Sequence, residues 1–173
     1  ENPEVWDFSC HTHFTDIGTD VALAVEGYMI DNVDVKIKML DDRAKMPVQG
    51  TPGAAGFDVF ALAQEEIWPD DIRKIDLGFA VEIPPGYAME MLPRSGLSLG
   101  GITIANSPGL IDCDYRGPIC AIVTNHGTSL FLVKPGMKIA QVKFVKVPKV
   151  AFSLVENLSI TERGEGGFGH TGI

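Results

Sequence analysis

Ile75-Asp76-Leu77-Gly78-Phe79-Ala80-Val81-Glu82-Ile83-Pro84-Pro85-Gly86-Tyr87-Ala88-Met89-Glu90-Met91 is the stretch that decides the fold. Apolar side chains recur at every second position, Ile75, Leu77, Phe79, Val81 and Ile83, then Tyr87, Met89 and Met91. That is the spacing of side chains on one face of a pleated strand. Pro84-Pro85-Gly86 interrupts the alternation with the residues that tight turns use. The stretch therefore predicts strand, turn, strand.

Outward from it the same period continues. Val33, Val35, Ile37 and Met39 alternate with Asp34, Lys36 and Lys38, and Ala140, Val142 and Phe144 repeat the pattern. Thr51-Pro52-Gly53, Ser107-Pro108-Gly109, His126-Gly127 and Lys134-Pro135-Gly136 punctuate the chain too closely for many helices. Nineteen glycines and 11 prolines in 173 residues supply the turns of a many-stranded antiparallel fold, so an all-β sandwich or barrel is expected over residues 33–162. Residues 1–32 show no sustained alternation and read as an N-terminal extension of unknown role. Within it, Val21 to Val25 fits a short helix or an extra strand equally well. Residues 163–173 hold five glycines and read as an arm that stays flexible until something orders it.

Charge and composition exclude several classes. Lys plus Arg 14 against Asp plus Glu 23 leaves a net charge of −9, which argues against a surface that tracks nucleic acid by displacing counterions. An anionic ligand must instead be held by a few local donors. No apolar run approaches the roughly 18 residues of a membrane helix, so no membrane association is expected. Cys10, Cys113 and Cys120 form no CxxC pair and are odd in number, which suggests reduced thiols in an intracellular, most simply cytoplasmic, protein. Cys10-His11-Thr12-His13 lies near Asp16 but lacks a second half at a zinc spacing, and reads as a surface segment.

Three segments could carry chemistry. Pro93-Arg94-Ser95-Gly96-Leu97 follows a strand, and a strand end opening into a small-residue turn exposes backbone N–H groups to an anion. Arg94 adds a bidentate charge and Ser95 a hydroxyl. Asn106 to Gly117 reads as a hairpin or turn, in which alternation puts Asp112 and Asp114 on one face and Ile111, Cys113 and Tyr115 on the other, unless the turn breaks the pleat. A carboxylate there could orient and deprotonate a water. In the arm, Phe168 stands alone among glycines and gains burial only by covering something flat, such as a base. The arm lacks the Gly-Lys-Ser/Thr ending of a P-loop.

Taken in order, five segments resemble the five motifs of the trimeric dUTP pyrophosphatase (dUTPase) family. Ala55-Gly56-Phe57-Asp58-Val59-Phe60-Ala61 is similar to the first, Pro93 to Leu97 to the second, and Gly109 to Gly117 to the third. Gly136-Met137-Lys138-Ile139-Ala140-Gln141 is similar to the fourth and Arg163 to Gly172 to the fifth. The resemblance implies a jelly-roll β-barrel, a homotrimer with active sites shared between subunits, and hydrolysis of dUTP to dUMP and pyrophosphate. Such an activity limits uracil in DNA and supplies dUMP for dTMP synthesis. Asp112 would activate the water that attacks the α-phosphorus, and Tyr115 would pack under the deoxyribose and exclude a 2′-hydroxyl. Asn106 and the backbone of Gly109, Leu110 and Ile111 would read the uracil edge. Arg94, Ser95 and Gly96 would bind the phosphate chain with help from Gln141, and Asp58 would stand behind the phosphates and metal. Arg163, Phe168, Gly169, His170 and Thr171 would close from another subunit.

Mg²⁺ is the implied cofactor, carried by triphosphate oxygens and water with no direct protein ligand. Two positions depart from the family pattern: His170 stands where Ser is usual, and Pro118 where an acidic residue is common. The related dCTP deaminases share the fold but use a glutamate, and none lies within Asn106 to Gly117. A regulator or structural trimer that has lost hydrolysis would not need Asp112, Ser95, Arg94, Tyr115, Arg163 and Phe168 together.

Overall fold

The structure is a computed structural model that describes residues 24–25, 28–29 and 32–167. The chain divides into two units, Glu1–Asp34 and Val35–Ile173. In the first, β1 (Ala24–Val25) pairs antiparallel with β2 (Tyr28–Met29), so the end of the Val21 to Val25 segment is strand. The Cys10 to His13 cluster lies outside the described residues.

The second unit is all-β except for one helical turn, and among the described residues no helix is long and apolar enough to cross a membrane. Its largest sheet has the order β11 (Gly109–Ile111), β9 (Tyr87–Leu92), β14 (Lys138–Lys146), β5 (Phe57–Phe60), β4 (Val48–Gln49). A second has the order β10 (Ile102–Ile104), β12 (Cys120–Asn125), β7 (Ile72–Asp76). Two-stranded sheets pair β13 (Phe131–Val133) with β6 (Glu65–Ile67), and β3 (Lys36–Met39) with β8 (Phe79–Glu82). One hydrophobic cluster joins them: Val59, Met89 and Val142 from the first sheet, Ile75, Ile104 and Val123 from the second, Ile67 with Val133, and Phe79 with Val81. The alternation that predicted the strands thus points into a common core. None of the sheets among the described residues closes on itself, so the architecture stands as open sheets around one core.

The deciding stretch departs from its prediction at one point. Ile75 to Ile83 reads as one strand, yet β7 ends at Asp76 and β8 begins at Phe79 in a different sheet. Gly78 makes the corner at φ +75, and its N–H donates to Asp76 Oδ1 at 2.9 Å. A Cβ at 78 would lie 2.6 Å from Ala44 Cβ, so both the backbone angle and the space require glycine. Leu77 and Phe79 stay fully buried on either side, because the chain changes sheets without leaving the core.

Strand β14 supplies the other local device. Lys138 lies opposite Phe60 and Ala140 opposite Val59, so Ile139 is an extra residue, a β-bulge. Beyond the bulge, Gln141 lies directly opposite Asp58 on one side and Leu92 on the other. The bulge puts Lys138 and Gln141, three positions apart, on the same face as Asp58, while Ile139, Ala140 and Val142 are buried.

Gly78→Ala should destabilise the fold by about 2–3 kcal/mol, from the forced left-handed backbone and the clash with Ala44. Urea unfolding midpoints of the two proteins check this.

Candidate functional site

Two groups of side chains stand out, one on the large sheet and one around a cavity lined by residues of both the large and the three-stranded sheets. The first is a charge cluster around Asp58. Arg94 Nε donates to Asp58 Oδ1 at 2.9 Å and Lys138 Nζ donates to Oδ2 at 2.8 Å, so both carboxylate oxygens are engaged. Arg94 Nη1 reaches Lys138 O at 3.4 Å, and Gln141 Nε2 donates to Pro93 O at 2.8 Å. The cluster ties β5, the exit of β9 and β14 together. The Asp58 side chain is only 14% exposed, and burial by itself pushes its carboxyl upward. The hydrogen bond from Lys138 and the charges of Arg94 and Lys138 outweigh burial and hold its pKa below the ordinary 3.8.

Arg94 also opens the turn that sequence pointed to. It is the extended residue before the four-residue helix α1 (Ser95–Ser98), and its carbonyl accepts from the N–H groups of Leu97 and Ser98 at 3.0 Å each. The amides of Ser95 and Gly96 precede those internal donors, at the mouth of the turn that Arg94 opens. Donors and a cation so placed suit an anion.

The second group lines a cavity of about 350 Å³. Its walls include Asn106, Gly109, Leu110, Ile111, Asp112 and Tyr115, all expected from sequence, together with Lys74, Met91, Pro118, Ile119, Cys120 and Ile122, which were not. Strand β11 runs along it, with Gly109 opposite Met91 and Ile111 opposite Met89. As the rim of the five-stranded sheet, β11 has one edge paired to β9 and no strand on the other among the described residues. That edge offers N–H and C=O groups to a planar partner.

Of the two forms expected for Asn106 to Gly117, the structure takes the turn, which breaks the pleat after Ile111. The segment is not a hairpin paired to itself: β11 lies in the large sheet, whereas β12, which follows, lies in the three-stranded one. Nor do Asp112 and Tyr115 fall on opposite faces. Tyr115 N–H donates to Asp112 O at 3.2 Å, the pleat ends at Ile111, and the turn brings both side chains to the same cavity. The Tyr115 hydroxyl donates to Pro118 O at 3.1 Å, and the ring lies so close over Gly117 that a Cβ there would collide with it. Glycine at 117 is what lets the ring settle. Arg116 turns back, Nη1 donating to Cys113 O at 2.7 Å and Tyr115 O at 3.0 Å.

None of Asp58, Arg94, Ser95, Gly96 or Gln141 lines the cavity. Arg163 is exposed, with Nε donating to Gly166 O at 2.8 Å, and it does not line the cavity either. Phe168, Gly169, His170 and Thr171 lie outside the described residues. Among the described residues, no three His, Cys, Asp or Glu side chains converge as a metal site. Sequence reasoning passed over Lys138, although it sat inside a quoted segment, and over Lys74. A clue to the first was available: Lys138 is in phase with Ala140, Val142 and Phe144, and a lysine in phase with a core face signals a bulge.

Because the folded carboxyl of Asp58 titrates lower than its unfolded value near 3.8, its contacts contribute stability above that pH. The contribution is lost as pH falls through the lower folded value. Asp58→Asn should cost about 2 kcal/mol at neutral pH and lose less than the parent protein on acidification. Urea unfolding at neutral and acid pH measures both effects.

The dUTPase family model matches residues 42–172. The deoxyuridine 5′-triphosphate nucleotidohydrolase of Chlamydia pneumoniae is 48% identical over 137 residues, which is 77% of this chain and 94% of that protein. The enzyme of the same name from Syntrophotalea carbinolica is 43% identical over 144 residues, 82% of this chain and 98% of that protein. Among solved structures, the Staphylococcus bacteriophage 80alpha dUTPase with dUPNHPP is similar at a TM-score of 0.76 and 26% identity, covering 81% of this chain and 99% of that one. With both the spaced motifs and the all-β scaffold accounted for, the chain belongs to the dUTPase family.

Proposed function

We propose that this chain hydrolyses dUTP to dUMP and pyrophosphate, with the base and sugar in the cavity beside β11. The observation that carries this reading is the meeting of Asp112, Tyr115 and Asn106 with the open edge of a rim strand in one cavity of about 350 Å³. The curated relatives are named for this activity, and the phage 80alpha structure holds a dUTP analogue. The product dUMP would feed dTMP synthesis, and removal of dUTP would limit uracil in DNA. The free thiols Cys113 and Cys120 favour an intracellular, cytoplasmic setting.

In this reading Asp112 accepts a proton from the water that attacks the α-phosphorus, and the Tyr115 ring lies under the deoxyribose, leaving no room for a 2′-hydroxyl. Asn106 and the backbone of Gly109, Leu110 and Ile111 read the uracil edge. Polar mismatch at such an edge rejects a wrong base far more strongly than shape alone. Arg94, with the Ser95 and Gly96 amides, clamps the phosphate chain; Asp58 aims Arg94, and Gln141 holds the turn through Pro93 O. Mg²⁺ fits this donor set as an ion carried by phosphate oxygens and water, since both Asp58 oxygens are taken up by cations. When bound it neutralises the charge that develops on the triphosphate.

The charge cluster and the cavity are separate groups in one chain, which supports an active site completed by neighbouring copies in a homotrimer. The exposed segment after β14 supports the same assembly: Phe152, Leu154, Leu158 and Ile160 are 98%, 104%, 87% and 100% exposed. So many bare apolar side chains in an extended stretch suit packing on another subunit. From there Arg163, Phe168, Gly169, His170 and Thr171 would close over a neighbour's nucleotide. A jelly-roll closure of the sheets is part of this reading.

Asp112→Asn should retain nucleotide binding while lowering kcat by about 10³-fold or more, measured as pyrophosphate release from dUTP beside calorimetric binding of a non-hydrolysable analogue. Retained turnover removes Asp112 from the role of base. Deleting residues 163–173 should lower kcat/KM by at least about 100-fold and leave the trimer's sedimentation unchanged. Equal loss of activity and assembly makes the arm structural.

A further inference from the structure

The cavity contains a cation that the proposed reaction leaves without a task. Lys74 lines it, carried by β7, which pairs with β12 in the three-stranded sheet. Lys74 lies directly opposite Ile122, and Cys120, two residues along, lies opposite Asp76. Side chains two apart on paired strands share one face of the ladder, so Lys74, Asp76, Cys120 and Ile122 stand together. Lys74, Cys120 and Ile122 all line the cavity. The Cys120 thiol registers the charge: burial raises its pKa and Asp76 adds to the rise, whereas Lys74 pulls it down. Among the described residues Lys74 enters no ion pair and no side-chain hydrogen bond.

We propose that Lys74 is a specificity-determining residue whose ammonium donates to a ring carbonyl of the base held in the cavity, favouring uracil over cytosine. This rests on the reading of the cavity as the nucleoside site. The chemistry is directional: a lysine carries three donors and no acceptor. Uracil presents a carbonyl oxygen at C4 where cytosine presents an amino group, so exchanging the bases sets donor against donor beside a fixed positive charge. The rim of β11, held in register by β9, reads the base edge through its N–H and C=O groups, and Lys74 adds a donor that matches a carbonyl at C4 and not an amino group. A phosphate-binding task fits Lys74 less well, because Arg94 and Lys138, the cations held by Asp58, do not line this cavity.

The test compares kcat/KM for dUTP and dCTP in the parent enzyme, Lys74→Met and Lys74→Arg, with calorimetric binding of deoxyuridine and deoxycytidine, which lack phosphates. Lys74→Met should lower the dUTP-to-dCTP preference at least about tenfold and weaken deoxyuridine selectively, with part of both restored in Lys74→Arg. An unchanged preference overturns the proposal. So does an equal, strongly salt-dependent loss for both triphosphates with nucleoside binding intact, which makes Lys74 a phosphate-attracting charge. If the parent enzyme does not hydrolyse dUTP, the functional reading fails, and the nucleoside titrations still decide whether Lys74 selects the base.

Discussion

A carboxylate that is 14% exposed, with a cation on each oxygen, fixes the business end of the large sheet. Asp58 belongs to β5, Lys138 to the start of β14, and Arg94 to the chain leaving β9. Removing either cation would leave an uncompensated charge in a half-dry setting, which is costlier than the pair is stabilising. The three segments are therefore locked in one relative position. Arg94 cannot swing away without abandoning Asp58, so the α1 turn begins from a fixed point and its leading amides face a fixed direction. Pre-positioned donors do not need to be ordered when an anion arrives.

That lock depends on the bulge at Ile139. In an unbroken strand, residues 138 and 141 point to opposite faces, since their separation is odd. The extra residue reverses the phase once, so Lys138 reaches Asp58 while Gln141, opposite the same Asp58, reaches Pro93 O at 2.8 Å. Gln141 thus ties the end of β9 from its neighbour strand, and β9 in turn carries β11 in register, Gly109 opposite Met91. The position of the cavity wall is inherited from the same strand that anchors the charge cluster.

Period two exposed the strands because alternation records burial, and Met89, Met91, Ala140 and Val142 are buried as the pattern demands. The same signal failed wherever the backbone leaves the pleat. Gly78 turns a run of perfect alternation into two strands of different sheets, and nothing in the apolar spacing marks the corner, since Leu77 and Phe79 are buried on both sides of it. Asp112 and Tyr115 differ by an odd number and yet share a cavity, because one turn hydrogen bond replaces the ladder after Ile111. Asn106, Gly109, Leu110, Ile111, Asp112 and Tyr115, singled out by their order and chemistry, line one cavity. Lys74 was not singled out, because what brings it to the cavity is cross-strand register, its pairing with Ile122, and register joins positions far apart in sequence.

An acidic chain that handles a polyanion faces a conflict, and the placement of its charges answers it. At −9 the molecule as a whole repels a triphosphate, over distances that physiological salt cuts to roughly 8 Å. Within that range only local charge matters, and Arg94 and Lys138 stand where the sheet can hold them. Asp58 pairs with both, and in doing so lowers the local positive charge; its contribution is direction, not attraction. Lys74 is the one cation among the described residues that line the cavity, and tight binding of a triphosphate there needs more. Arg163, with its exposed guanidinium turned back on Gly166, lies beyond an apolar stretch that no described residue of its own chain covers. In the proposed homotrimer, a second copy seated on that stretch would bury the apolar side chains and deliver the guanidinium together, so that assembly and completion of the charge clamp would be one event.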